Sequence, residues 1–142
     1  MKVYVASSWR NLHQPAVVTV LRQAGHEVYD FRDSDGFHWS DLDQDWKTWS
    51  PERFRAVLRQ HPVARRGFER DMDALRWCDA CVLVQPCGRS AHLELGWAVG
   101  QGKRTAILLR DGEPELMYRM VDHLATSLGT LALWLAGTEV PS

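Results

Sequence analysis

Ala80-Cys81-Val82-Leu83-Val84 is followed, after a short link, by Ser90-Ala91-His92-Leu93-Glu94-Leu95-Gly96-Trp97-Ala98-Val99-Gly100-Gln101-Gly102-Lys103. The first run is apolar throughout and of strand length, so it reads as a buried strand. The second reads as a helix that ends near Gly102. Upstream, Val3-Tyr4-Val5-Ala6-Ser7 is another short buried strand. A helix is expected from about Pro15 to Ala24, with Val17, Val18, Val20 and Leu21 as its apolar face and Gly25 as its stop. Glu27-Val28-Tyr29-Asp30-Phe31 then returns as a strand. Strand, helix and strand in that order require parallel pairing. Downstream, Arg104–Leu109 is a further strand, Glu115–His123 a short helix and Gly129–Trp134 a last apolar segment.

Residues 32–51 interrupt this rhythm. Asp33-Ser34-Asp35-Gly36 is a turn cluster, and Phe37, Trp39, Trp46 and Trp49 follow among acidic residues. The stretch reads as a long functional loop with short helical pieces. Helices over Arg53–Arg59 and Val63–Trp77 connect it to the strand at 80–84. The whole predicts one α/β domain spanning residues 1–142, a compact sandwich built on four or five parallel strands. The glycine fingerprint of a dinucleotide fold is missing after the first strand, and there is no phosphate-loop lysine motif.

Composition sets outer bounds. With 142 residues, 45% hydrophobic and 25% charged, the chain is an ordinary globular length and mix. A formal net charge of -1 gives no bulk electrostatic case for nucleic acid or an anionic membrane. No apolar run approaches the roughly 20 residues of a membrane span. The first residues enter a strand at once and do not read as a signal peptide. Three cysteines, an odd number, argue against a disulfide framework, and a cytoplasmic setting is expected. Cys78-x-x-Cys81 lacks a second pair, so no metal site is expected.

Glu94 is the residue that asks for a reason. Its neighbours on the helix, Leu93 to Val99, are apolar or glycine, and a carboxylate there is costly to bury without a partner or a task. As a nucleophile it would attack a sugar anomeric carbon; as a base it would activate water. The plainer alternative is a helix-face carboxylate near Ser90 or Lys103. Tyr4, inside the first strand, would reach Glu94 if strands one and three are neighbours; otherwise it is a core tyrosine. Asp71 would either hydrogen-bond a ligand or remain a solvated helix carboxylate. Ser7, Ser8, Arg10, Cys87, Gly88, Arg89 and Ser90 follow strands one and three, at the edge where open α/β sheets hold ligands and where a helix start favours an anion. Trp9, Trp39, Trp46 and Trp49 would stack on a flat ring or form a cluster of their own.

Together, Tyr4-Val5-Ala6-Ser7-Ser8-Trp9, the Asp71/Asp79 pair, and Glu94-Leu95-Gly96-Trp97-Ala98 with Gly102-Lys103 resemble the nucleoside 2-deoxyribosyltransferase family. The resemblance implies a flavodoxin-like three-layer α/β sandwich with a four- or five-stranded, mainly parallel sheet. It implies cleavage or transfer of the N-glycosidic bond of a nucleoside or nucleotide without a cofactor or metal. Glu94 would be the nucleophile, Tyr4 its orienting phenol and Asp71 the base-contacting acid. Ser7, Ser8, Arg89 and Ser90 would hold the sugar's 5′ end or its phosphate, Arg10 and Gly88 would also bind the substrate, and Trp9 and Trp39 would wall the base. A homo-oligomer is implied as well. The family carries an aspartate or serine six residues before its nucleophile, where this chain has Gly88. The pattern from Ser90 to Leu95 is also similar to Toll/interleukin-1 receptor domains that hydrolyse NAD. An NAD-consuming domain and a non-catalytic nucleotide-binding module are therefore the two alternatives.

Overall fold

The computed structural model describes residues 1–141. The chain divides into two compact units, one formed by Met1–Asp30 with the chain from Trp77 onward, the other by Phe31–Arg76.

The first unit holds the sheet. Strands β1 (Lys2–Ala6), β2 (Glu27–Tyr29), β3 (Ala80–Val84), β4 (Arg104–Leu108) and β5 (His123–Ala125) pair in the order β2-β1-β3-β4-β5, every pair parallel. This is the flavodoxin-like strand order, and its switch point lies between β1 and β3. Register sets Tyr4 beside Tyr29 on one side and Cys81 on the other. All of β3 is buried, as its unbroken apolar run requires of a central parallel strand.

Side chains alternate across the strands. Val3 and Val5, Val82 and Val84, and Ala106 and Leu108 form one core with Val17 and Leu21 of α1 (Gln14–Gln23) and Leu131 and Leu135 of α6 (Leu128–Leu135). The opposite sheet face, bearing Tyr4, Cys81 and Ile107, is left for α5 (Arg89–Gly100), which presents Ala91, Leu95 and Ala98. Helices thus cover both faces. Gly25 and Gly102 end α1 and α5 at φ of +92° and +71°, a backbone shape that glycine adopts without strain.

One element departs from expectation. The stretch 115–123 is not a helix. It forms a three-ten turn at Leu116–Met120 and then the edge strand β5. In β5 the main chain continues the sheet beside β4, a pairing gain that the three-residue strand's own sequence does not signal.

The second unit comprises α2 (Trp39–Leu42), α3 (Pro51–Gln60), the part of α4 (Pro62–Trp77) up to Arg76, and three-ten turns at Phe31–Asp33 and Trp46–Thr48. Ser50 caps α3 by accepting from the Arg53 N–H at 3.2 Å, with Pro51 at its first position.

Candidate active site

Short polar side chains tie the carboxyl ends of β1 and β3 together. Ser7 donates its hydroxyl to the Val84 carbonyl at 3.0 Å. The amide nitrogen of Asn11 donates to the same carbonyl at 3.1 Å and to Pro86 at 3.0 Å. Its oxygen accepts from the backbone N–H groups of His13 (2.7 Å) and Gln14 (3.2 Å). One buried side chain therefore fixes the β1 loop, the start of α1 and the link from β3 to α5. Ser8 closes the turn, its hydroxyl accepting from the Arg10 N–H at 3.3 Å. Trp9 and Arg10 are exposed at its tip.

Helix α5 begins beside this junction. Gly88 is its N-cap, in extended conformation, and no side chain closes the first turn. Ser90 lies inside the helix and does not cap it. Gly88, Arg89 and Ser90 are all exposed, and a Cβ added at Gly88 would meet nothing within 4 Å. A helix start favours an anion, and this one lies at the edge where a ligand is expected.

Glu94 is half-buried in the second turn of α5. Its carboxylate acts on two thiols. Burial is the main cause of the raised Cys81 and Cys87 pKa values, and the Glu94 charge adds to both, taking Cys87 to about 11. Cys81 is the register partner of Tyr4, so these two share the sheet face that α5 covers. Tyr4 is 2% exposed and stacks on Tyr29, with centroids 5.0 Å apart at 20°. Lys103 donates to the Cys78 carbonyl.

Asp71 and Trp39 belong to the second unit. Asp71 is half-buried on α4. Trp39 is T-shaped to Phe37, Trp49 and Phe54 and stacked on Trp46. The Trp49 indole donates to Asp43 at 2.8 Å, and the Arg53 guanidinium pairs with Asp43 at 3.2 Å and lies over the Trp49 ring at 4.6 Å. The tryptophan-rich loop thus builds an aromatic core for its own unit. This accounts for Trp46 and Trp49 without a ligand.

A polar chain that the sequence did not suggest flanks α5. Gln85 donates its side-chain N–H to the Tyr118 hydroxyl at 3.0 Å and accepts from the Arg110 N–H at 3.1 Å. Tyr118 lies 2.7 Å from Nε2 of His92, whose Nδ1 lies 2.8 Å from the Gly88 carbonyl. The His92 and Tyr118 rings stack at 5.6 Å. Beside them is a cavity of about 660 Å³, walled by His92, Gly96 and Val99 of α5 and by Met117 and Met120 of the three-ten turn. At 100° per residue His92 and Glu94 point to opposite sides of the helix, and Glu94 does not line this cavity.

By sequence, no family profile and no curated protein matches the chain. By structure, matches are found. The chain shares the fold of a 2-deoxyribosyltransferase. That protein, from the psychrotolerant bacterium Bacillus psychrosaccharolyticus, aligns over 100% of this chain and 99% of its own, with a TM-score of 0.69 and 20% identity. The CMP N-glycosidase BcmB of Clostridium botulinum aligns over 96% of this chain and 99% of its own, with a TM-score of 0.52 and 18% identity. At these identities the likeness is one of fold. Among the described residues, no three His, Cys, Asp or Glu side chains are placed to hold a metal ion, and no helix is long and apolar enough to cross a membrane.

Proposed function

We propose that the chain cleaves or transfers the N-glycosidic bond of a (deoxy)nucleoside or nucleotide, with Glu94 as nucleophile. The observation that carries this reading is the position of Glu94. It is half-buried on α5, the helix that follows β3 and packs on the sheet of a fold shared with a deoxyribosyltransferase. The carboxylate oxygen forms a bond to the anomeric carbon. The carbon–nitrogen bond breaks, and its electron pair leaves with the base, which takes up a proton. The sugar is then held as an ester of Glu94. Water or the nitrogen of a second base attacks the same carbon and restores the free carboxylate.

In this reading the Tyr4 phenol keeps Glu94 ionised and aimed. Gly88, Arg89 and Ser90, at the open start of α5, take the sugar's 5′ end, with Ser7, Ser8 and Arg10 across the junction. Trp9 flanks the base. Assembly as a homo-oligomer in the cytoplasm completes the proposal.

The test is a chromatographic screen of nucleosides, nucleoside monophosphates and NAD for released base, run with wild type and Glu94→Ala. Release by wild type and none above background by the variant supports the assignment. Equal release by both removes Glu94 from the mechanism, and release from no substrate leaves the binding module as the better account.

A further inference from the structure

The cavity beside α5 extends to the start of that helix, where Cys87, Gly88 and Arg89 line it. The Cys87 sulfur lies 3.8 Å from Nδ1 of His92. Gly88 and Arg89, which the proposed function assigns to the sugar's 5′ end, line the same cavity. A substrate held by its anomeric carbon at Glu94 and by its 5′ end at Gly88–Arg89 therefore has the cavity mouth next to that end.

The walls define what enters. Met117, Met120, Val99 and Leu95 are apolar, Glu115 adds a carboxylate to the wall, and methionine walls adapt to flat guests. About 660 Å³ suits a group of small-molecule size. The polar end has a fixed sense. The Gly88 carbonyl only accepts, so in the neutral ring Nδ1 of His92 carries the proton and Nε2 accepts from Tyr118. The Gln85 oxygen is taken by the Arg110 N–H, so its NH₂ group is the donor to Tyr118. The hydroxyl proton of Tyr118 is thereby committed, and its oxygen keeps one lone pair. The cavity offers a guest an acceptor at this end and no donor from the chain of bonds.

Resting on the proposed function, we infer that this cavity is a second compartment of the substrate site, and that the substrate is a dinucleotide-type ribosyl compound. The 5′ phosphate would carry a second nucleoside, and that nucleoside's flat, amine-bearing base would lie between α5 and the three-ten turn, donating an N–H to the Tyr118 oxygen.

Gly96 supplies the test. It lines the cavity, and a Cβ added there meets nothing within 4 Å, so Gly96→Phe fills the space from a helix that tolerates the change. The probes are nicotinamide mononucleotide and NAD, which share a ribosyl phosphate and differ by one adenosine monophosphate. Binding is measured by calorimetry on Glu94→Gln, with and without Gly96→Phe. Circular dichroism checks folding, and sedimentation checks assembly. The expected result is a Kd for NAD at least tenfold below that of the mononucleotide. Gly96→Phe should erase that advantage while moving the mononucleotide Kd less than twofold. Tyr118→Phe should weaken NAD alone. Equal affinities, or an advantage that survives Gly96→Phe, overturn the inference. So does a dimer that Gly96→Phe dissociates, because the face would then be covered by a second copy. Base release from any mononucleotide with no NAD advantage defeats this inference alone. Absence of both binding and turnover defeats the proposed function with it.

Discussion

A carboxylate on an apolar helix face is tolerated when something holds it, and Glu94 is half-buried on the helix that covers the face carrying Tyr4 and Cys81. Two substitutions separate its roles. Glu94→Gln keeps the shape and loses the attacking oxygen's charge; turnover should fall on the order of 10³-fold or more, as for removal of other nucleophiles. Tyr4→Phe keeps the stack on Tyr29, 5.0 Å away, and removes only the hydroxyl. Its kcat should fall about tenfold to a hundredfold, since one hydrogen bond to a charged group is about 1.5–3 kcal/mol. A Tyr4→Phe protein with wild-type kcat would return Tyr4 to the core. Glu94 stands out in the sequence because its chemistry clashes with that of its neighbours. That strands one and three are neighbours could be read as well, but the register that sets Tyr4 beside Cys81 could not.

At the scale of elements, the strands at 80–84 and 104–108 and the helix after Gly88 could be read directly, because each buries a continuous apolar run or face. Strand β5 could not. It has three residues, begins with an imidazole, and exists through main-chain pairing to β4. The Asn11 bracket was invisible for a related reason: its acceptors are main-chain carbonyls 73 and 75 residues away, and carbonyls carry no sequence signal. That bracket yields a stability prediction. Asn11→Ala strips donors from two carbonyls and the acceptor from the start of α1. With one such buried group left unsatisfied costing about 1–3 kcal/mol, the urea midpoint should drop clearly at unchanged slope. An unmoved midpoint would mean that water replaces the side chain at no cost. The Gln85–Tyr118–His92 chain behaves alike: Tyr118→Phe leaves a buried Gln85 donor unmet and should destabilise by about 1–3 kcal/mol.

For the molecule as a whole, the acid side of the stability curve has an identifiable source. His123 is 2% exposed in β5, stacks on Trp134 at 5.3 Å, and neither ring nitrogen has a hydrogen-bond partner among the described residues. Burial lowers its pKa below the ordinary histidine value. The sign follows from proton counting. Below about pH 6.5 the unfolded chain takes up a proton at this position before the folded chain does, so stability falls with pH. The fall continues to the folded pKa and then levels off, whereas above about pH 6.5 both states are neutral and His123 contributes no slope. His26 is also lowered, chiefly by burial, and acts in the same direction. Phenylalanine keeps a flat ring against Trp134 and cannot titrate. His123→Phe should therefore lose less stability than wild type between pH 7.5 and pH 5.5, with the remaining loss belonging to His26 and the carboxylates. Denaturant midpoints at the two pH values measure this directly. Parallel losses in the two proteins would show that water enters to solvate the imidazolium, and would remove His123 as the cause.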